Sequence, residues 1–491
     1  MAGHKEFKLF SFSGKMKILH LSWFAFFITF LIWFNFAPLL QHVKESLGLT
    51  TAEIKTLLIL NVAFTIPARV VVGMLTDKYG PRLVYSLLLA ICTIPCFVFA
   101  FSANFVQAAI ARFALGMIGA GFVIGIRLVS EWFPHNELGI AEGIYGGWGN
   151  FGSAVAAFAL PTVAVMFGRE DGWRYAMAIT GVMSLLFSIV FYRSVTDTPK
   201  GATYYKPENA GTMEVTSIGD FYLLLIMKVP IYVSLGLLAW KLSLSSVGLF
   251  SSFTVMTIYL VLGLIYIFDT FHVWKVNKHI FVEEVPEIHR YKFKQVAVLN
   301  VLYFATFGSE LAVVSMLPLF FADTFGLTPV VAGIVSSTYA FMNLMSRPSG
   351  GCLSDKFGRK ATLLILTAGL AVGYFLMGYV NGSWPIWLAV IAAMGCSFFV
   401  QSGEGAVFAA VPLIKRRMTG QIAGMTGAYG NVGAVVYLTI LSVVDYSTFF
   451  FIIAATAMLG FLTLVFMKEP SGQIAEVNDD GTITMIDVAK A

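Results

Sequence analysis

The 491 residues are 58% hydrophobic and only 12% charged, with 45 phenylalanines. Soluble domains carry about 25% charged residues, so the composition excludes a soluble globular protein. It predicts an all-α chain that crosses a membrane many times. The net charge of +5 says little about partners, because in such a chain its distribution is topological.

The first apolar run, near 20–40, continues past signal-peptide length and is read as a span. Others follow near 56–76, 83–102, 105–133, 140–167 and 174–192. A hydrophobic block over 221–271 breaks near Lys241 into two possible spans, or a re-entrant pair; Lys228 and Pro230 sit in the first. Six more runs lie near 295–321, 329–353, 361–380, 384–413, 419–443 and 447–467. The expected plan is an N-terminal segment 1–19, a six-helix bundle 20–192 and a central linker 193–294 containing the inserted block. A second six-helix bundle 295–467 and a tail 468–491 complete it. In the tail, Asn478 to Gly481 between alternating apolar residues reads as a small hairpin; a frayed end is the alternative.

Positive charge sets an expected orientation. With the N-terminus in the cytoplasm, inward-facing segments hold 22 Lys and Arg. The outward loops hold five: Lys44, Lys55, Arg169, Arg174 and Lys241. Both termini are therefore expected inside, in a cytoplasmic membrane. Cys92, Cys96, Cys352 and Cys396 all lie in apolar runs, which suits apolar packing and not a disulfide or zinc framework.

Two stretches repeat 281 residues apart: GIAEGIYGGWGNFGSA (139–154) and GQIAGMTGAYGNVGAV (420–435). At about 100° per residue, Gly139, Gly143, Gly146 and Asn150 share a stripe about 60° wide, and Gly149 and Gly152 rotate away from it. Close helix packing explains the glycines. The repeated asparagine, Asn150 and Asn431, adds an amide that can face whatever lies between the helices.

A second repeat, GMLTDKYGPR (73–82) and GCLSDKFGRK (351–360), suits a tight turn whose aspartate caps a helix or pairs with basic neighbours. Its recurrence at matched topology resembles the signature loop of the major facilitator superfamily, whose two halves enclose a midplane site. The resemblance covers the chain apart from 221–271 and the tail. The glycine-asparagine stretches, LNVLYFATFGSELAVVSMLPLFF (299–321), YAFMNLMSRPSGG (339–351) and SVTDTPKGATY (194–204) resemble the nitrate/nitrite porter family. The extra block suits its cyanobacterial-type permeases.

Arg69 and Arg347 hold the same place in the two halves, each eight residues before the loop aspartate. That is about 12 Å, near mid-bilayer, where an arginine costs about 2.5–3.5 kcal/mol. Two such residues imply a cavity and an anion, or a pair with a buried glutamate. A guanidinium fork fits the in-plane oxygens of a flat oxyanion. The resemblance assigns nitrate and nitrite binding to both. It extends the site to Asn150, Asn431, Gly149 and Gly430 of the signatures, and to Tyr303 and Phe307 as walls; Phe34 and Phe36, beside Asn35, are further wall candidates. Arg112 resembles a structural position on the fourth helix. Arg127 and Glu131, four apart, are expected to pair, and the second half has Phe408 and Pro412 in their places.

Moving one anion into a cell at −100 mV costs about 2.3 kcal/mol. Nitrate/nitrite exchange, or symport with at least two protons, avoids that deficit. The histidines offer little: His4, His135, His272, His279 and His289 fall on the cytoplasmic side, His42 outside and His20 at a span end. Glu310 shares a helix face with Tyr303, and proton relay or static pairing with Arg347 or Arg127 are both open. Uptake of nitrate and nitrite is expected, with another small anion such as formate or a carboxylate as the alternative. No HExxH, phosphate loop or serine elbow points to an enzyme. The expected partners are the anions, protons under symport, and the bilayer; the chain is expected to be a monomer without cofactor, metal or nucleic acid.

Overall fold

The computed structural model describes residues 9–168, 171–207, 211–244, 248–286, 290–327, 329–469, 472–477 and 483–488. His4, Arg169, His289 and the hairpin turn 478–482 lie outside them. The first half comprises α1 (Gly14–Trp33), α2 (Leu40–Leu47), α3 (Thr51–Ala63), α4 (Thr65–Tyr79), α5 (Pro81–Ala100), α6 (Phe105–Leu115), α7 (Gly121–Trp132), α8 (His135–Met166) and α9 (Gly172–Ser194). Helices α10 (Ile218–Ser243) and α11 (Ser252–Asn277) follow. The second half comprises α12 (Phe293–Phe325), α13 (Pro329–Phe341), α14 (Asn343–Phe357), α15 (Arg359–Met377), α16 (Ile386–Ala410), α17 (Thr419–Leu441) and α18 (Tyr446–Thr463). Strands β1 (Gly472–Val477) and β2 (Ile483–Val488) pair antiparallel, Gly472 opposite Val488 and Val477 opposite Ile483. Among the described residues, twelve helical stretches are long and apolar enough to cross a membrane. Two more, α13–α14 and α17, are loaded with the glycines and polar residues that build the centre.

The ends of these helices follow from their residues. Thr50 and Glu53 form a reciprocal capping box at α3, and Asn104, Ser217, Ser251 and Asp445 cap α6, α10, α11 and α18. Gly80 and Gly358 take φ of +89° and +90° at the same point of the two repeated loops, a backbone shape that a side chain would strain. Three of the cysteines are buried, but Cys352 is exposed, because it lies on the face of α14 turned away from the core. His272 lies inside α11, not in a loop.

The extra block forms two full-length helices. Only 6% of the apolar window of α11 is buried by protein, so its outer face is built for lipid. Helix α10 holds the pair to the second half: the Tyr429 hydroxyl on α17 donates to Met227 O at 2.6 Å. Within the pair, Lys228 Nζ donates to Asp269 Oδ1 and Oδ2 at 2.7 and 2.8 Å, and Tyr232 reaches Oδ2 at 3.0 Å. Lys228→Met is expected to lower the thermal unfolding temperature in detergent, because it strands the carboxylate. Lys228→Met/Asp269→Leu should recover part of the loss, with a coupling of about 0.5–3 kcal/mol. Simple additivity of the single losses would show that the pair contributes nothing.

Candidate functional site between the halves

Glycines let helices of opposite halves touch through their backbones. A methyl group at Gly143 of α8 would lie 2.6 Å from Arg347 O on α14, and one at Gly424 of α17 would lie 2.5 Å from Arg69 O on α4. One turn on, Gly146 faces Arg347 Nη1 at 3.1 Å and Gly427 faces Arg69 Nη1 at 3.3 Å. The glycine stripe thus faces the arginine of the other half. Gly149 and Gly152 face α1, and Gly433 and Gly430 face α12.

Each loop aspartate closes one of these crossings. Asp77 accepts from Gly420 N at 2.9 Å and Gln421 N at 2.7 Å; Asp355 accepts from Gly139 N at 3.0 Å and Ile140 N at 2.8 Å. At α17, Asp77 meets N–H groups of the first turn, which are free, and the positive end of the dipole; at α8, Asp355 meets the fifth and sixth residues, one turn in from His135. Here each half caps the signature helix of the other. Arg127 reinforces the first crossing, reaching Glu131 at 2.9 Å, Asp77 at 3.5 Å, Arg416 O and Tyr204. The 194–204 motif packs beneath: Tyr204 donates to Thr76 O at 2.7 Å, and Asp197 accepts from Arg82 N at 2.7 Å. Burial pushes Asp197 above its ordinary carboxylate value. Arg112 is structural too, donating to Asn35 Oδ1 at 3.0 Å and Trp33 O at 2.5 Å.

The candidate residues converge behind these closures. Arg69, Arg347, Asn150, Asn431, Tyr303 and Phe307 are all buried, 3% exposed or less, so the site is sealed in this conformation. Both guanidiniums lie against the same two rings. Arg69 Cζ is 4.9 Å from the Phe307 centroid and 5.6 Å from Phe122; Arg347 Cζ is 5.6 Å from Phe307 and 5.8 Å from Phe122. Phe122, Tyr303 and Phe307 are nearly parallel, at 4° and 8° between successive rings. Phe36 belongs elsewhere, stacked 5.2 Å from Arg112, and Phe34 packs on Phe30 and Trp33. The residue of α1 that faces Arg69 is Trp33, 6.0 Å away.

The two arginines are placed alike and surrounded differently. Arg69 donates to Gly119 O at 3.1 Å and Gly427 O at 2.8 Å, while its Nη2 meets no partner among the described residues. The Tyr303 hydroxyl and Asn431 Oδ1 are likewise buried and unsatisfied. Arg347 instead meets two carboxylates: Glu310 Oε2 at 3.1 Å and, closer, Glu404 Oε2. Of the two readings left open, a buried glutamate partner is met at Arg347 and not at Arg69, and the acids come from α12 and α16. Glu310 pairs with Arg347 and not Arg127, and also accepts from Asn343 Nδ2 at 2.6 Å and Gln401 Nε2 at 3.1 Å.

The packing shows what replaces the acids at Arg69. A methyl at Gly152 would meet Phe27 O and Leu31 N; one at Gly433 would meet Phe304 O and Gly308 Cα. That register sets Trp33 in the place of Glu310. Gly121 faces Thr29 Cγ2 and Gly403 faces Thr306 Cγ2, which sets Phe122 in the place of Glu404 and puts Ala409 and Leu413, not the expected Phe408 and Pro412, in the places of Arg127 and Glu131. Two aromatic faces thus surround Arg69 where two carboxylates surround Arg347. Cation–π contact compensates a buried guanidinium weakly, so Arg69 keeps most of its need for an anion.

The amides are already engaged. With its oxygen towards Arg347, Asn150 accepts from Nη2 at 2.7 Å and Nε at 3.2 Å. Asn431 Nδ2 donates to Gly427 O at 3.1 Å, the oxygen that Arg69 also uses. They orient the arginines in this conformation and do not point free N–H groups into the site. Gly149 faces Phe26, and Gly430 faces Phe307 and Tyr303 at 2.7 and 2.8 Å: these two glycines seat rings. Phe122, Trp33, Asn343, Gln401 and the role of Glu404 escape a reading of the sequence. Only Asn343, one turn before Arg347, carries a local signal.

The pattern of the Major Facilitator Superfamily matches residues 22–273 and 299–482. Similar curated proteins include the nitrate/nitrite transporters NrtP of Picosynechococcus sp., 46% identical over 97% of both chains, and of Nostoc punctiforme, 46% identical over 95% of both. The nitrite extrusion protein of Bacillus subtilis is 23% identical over 89% of this chain and 91% of its own. Among solved structures, the proton:xylose symporter XylE superposes with a TM-score of 0.60 at 16% identity, over 93% of this chain and 96% of that one.

Proposed function

This chain belongs to the nitrate/nitrite transporter family of the major facilitator superfamily, and we propose that it carries nitrate and nitrite into the cell. The halves 20–192 and 295–467 rock about Arg69 and Arg347, with both termini cytoplasmic and a monomer as the working unit. One observation carries the reading: a guanidinium from each half lies on the faces of the same two rings, Phe122 and Phe307. A flat, weakly hydrated monovalent anion suits that arrangement. Two planar forks offer in-plane donors, and the rings discourage strongly hydrated competitors. Arg69 and Tyr303 lie side by side, and neither Arg69 Nη2 nor the Tyr303 hydroxyl has a well-formed hydrogen bond among the described residues, so both can turn to an acceptor. Alternating access requires the caps at Asp77 and Asp355 to break, because they tie the halves at the end carrying the basic loops.

Counterflow in proteoliposomes tests the reading. Vesicles loaded with nitrite are expected to take up external nitrate, with chlorate competing and dicarboxylates not. Absence of counterflow with either anion, or inhibition by dicarboxylates as strong as by chlorate, would refute it.

A further inference from the structure

We propose that Glu404 is a proton site coupled to the anion site, so that binding one nitrate draws about one proton onto its carboxyl group. The proposal rests on the transport reading above and adds the coupling ion and its residue.

Charge balance carries it. Two guanidiniums, Arg69 and Arg347, face two carboxylates, Glu310 and Glu404, all at most 4% exposed. The empty site is therefore neutral. Adding a monovalent anion leaves one excess negative charge out of reach of water, which is costly in a low-dielectric interior. A proton restores neutrality.

The hydrogen bonds select the acceptor. Glu310 accepts from three donors, Asn343, Gln401 and Arg347. Glu404 meets Arg347 and the Glu310 carboxyl itself, and its Oε1 meets no donor among the described residues. Both acids press on the same Arg347 nitrogen, Nη2, and two like charges sharing one cation cannot both be held cheaply. Among the described residues no other carboxylate lies in this cluster. On α12 the titratable neighbours are Glu310 and Tyr303, on α14 Arg347, and on α4 Arg69. Helix α8 presents Asn150 and, towards Arg69, Tyr145, and α13 presents Tyr339 towards Glu310; Glu142 of α8 neighbours Asp355 and Arg359 near the basic end. From α7 comes Phe122, which cannot titrate.

Protonation also frees the fork. A neutral Glu404 loosens its hold on Arg347 Nη2, which then turns to the anion beside Arg69. The proton enters with the anion from one side and leaves with it on the other, so the carried unit is neutral; one proton, and not the two expected from the sequence, is enough to stop the membrane potential opposing uptake. Nitrate affinity then rises as pH falls, by about tenfold per unit where the empty site is unprotonated and the loaded site protonated.

The test is calorimetric titration of the purified protein with nitrate in buffers of different ionisation enthalpy, repeated across pH. Wild type is expected to take up about one proton per nitrate, with the tenfold slope. Glu404→Gln should remove both the uptake and the slope, whereas Glu310→Gln should keep them. Buffer-independent heat with a flat pH profile in the wild type would overturn the proposal without any variant, and leave the transport reading intact. Undiminished proton uptake in Glu404→Gln would overturn the assignment to this residue. Absence of nitrate binding heat together with absence of counterflow would overturn the transport reading as well.

Discussion

Arg69→Lys is expected to abolish nitrate transport while leaving the protein folded. Lysine keeps the charge but presents a single point of attachment in place of a planar fork. Arg69 has one hand on the backbone, at Gly119 and Gly427, and an unsatisfied Nη2. Losing two charge-assisted bonds to an anion, at about 1.5–3 kcal/mol each, lowers affinity by at least about 100-fold at 1.4 kcal/mol per tenfold. Counterflow at fixed substrate should fall to background with an unchanged elution profile and thermal transition. Arg347→Lys should differ: it also loosens Glu310, Glu404 and Asn343, so transport and thermal stability fall together. Equal stability losses in the two variants would contradict the asymmetry described here.

Gly351→Val is the second large effect. A β-carbon there would overlap the carbonyl of Gly139 and approach Ile140 N to 3.1 Å. The obstruction is backbone, so no rotamer relieves it; α14 and α8 must part, and the caps from Asp355 to Gly139 and Ile140 stretch with them. Overpacking costs about 1–3 kcal/mol, here charged to the conformation closed at that end. Counterflow is expected to drop by about 5- to 150-fold. Gly395→Ala is the control, since nothing lies within 4 Å of a methyl group there, and it should transport normally. Wild-type rates in Gly351→Val would show that the close crossing of α8 and α14 is not part of the cycle.

Much of the fold was legible because in a membrane the hydrophobic runs mark the spans. The repeated glycines gave the second layer: their angular spacing marks a face of α8 for close helix packing, and the structure puts Gly139, Gly143 and Gly146 of that face against α14 of the other half. Arg69 and Arg347 were legible because charge at mid-depth is rare and needs a reason. What surrounds them was not. Glu310 and Glu404 reach Arg347 from α12 and α16, far away in sequence, and periodicity along one helix says nothing about partners on another. Trp33 and Phe122 were hidden among many aromatics, and only the three-dimensional register identifies them as the counterparts of the two acids. The asparagines were read as free donors, but an amide beside a buried guanidinium turns its oxygen to it first, as Asn150 does.

A structure determined with nitrate bound addresses the two-arginine site directly. A single flat anion is expected between the faces of Phe122 and Phe307, within about 2.7–3.1 Å of guanidinium nitrogens from both Arg69 and Arg347. An anion held by only one of them, or lodged in the lateral cavity of about 1060 Å³ between α4, α6 and the α10–α11 pair, would contradict it.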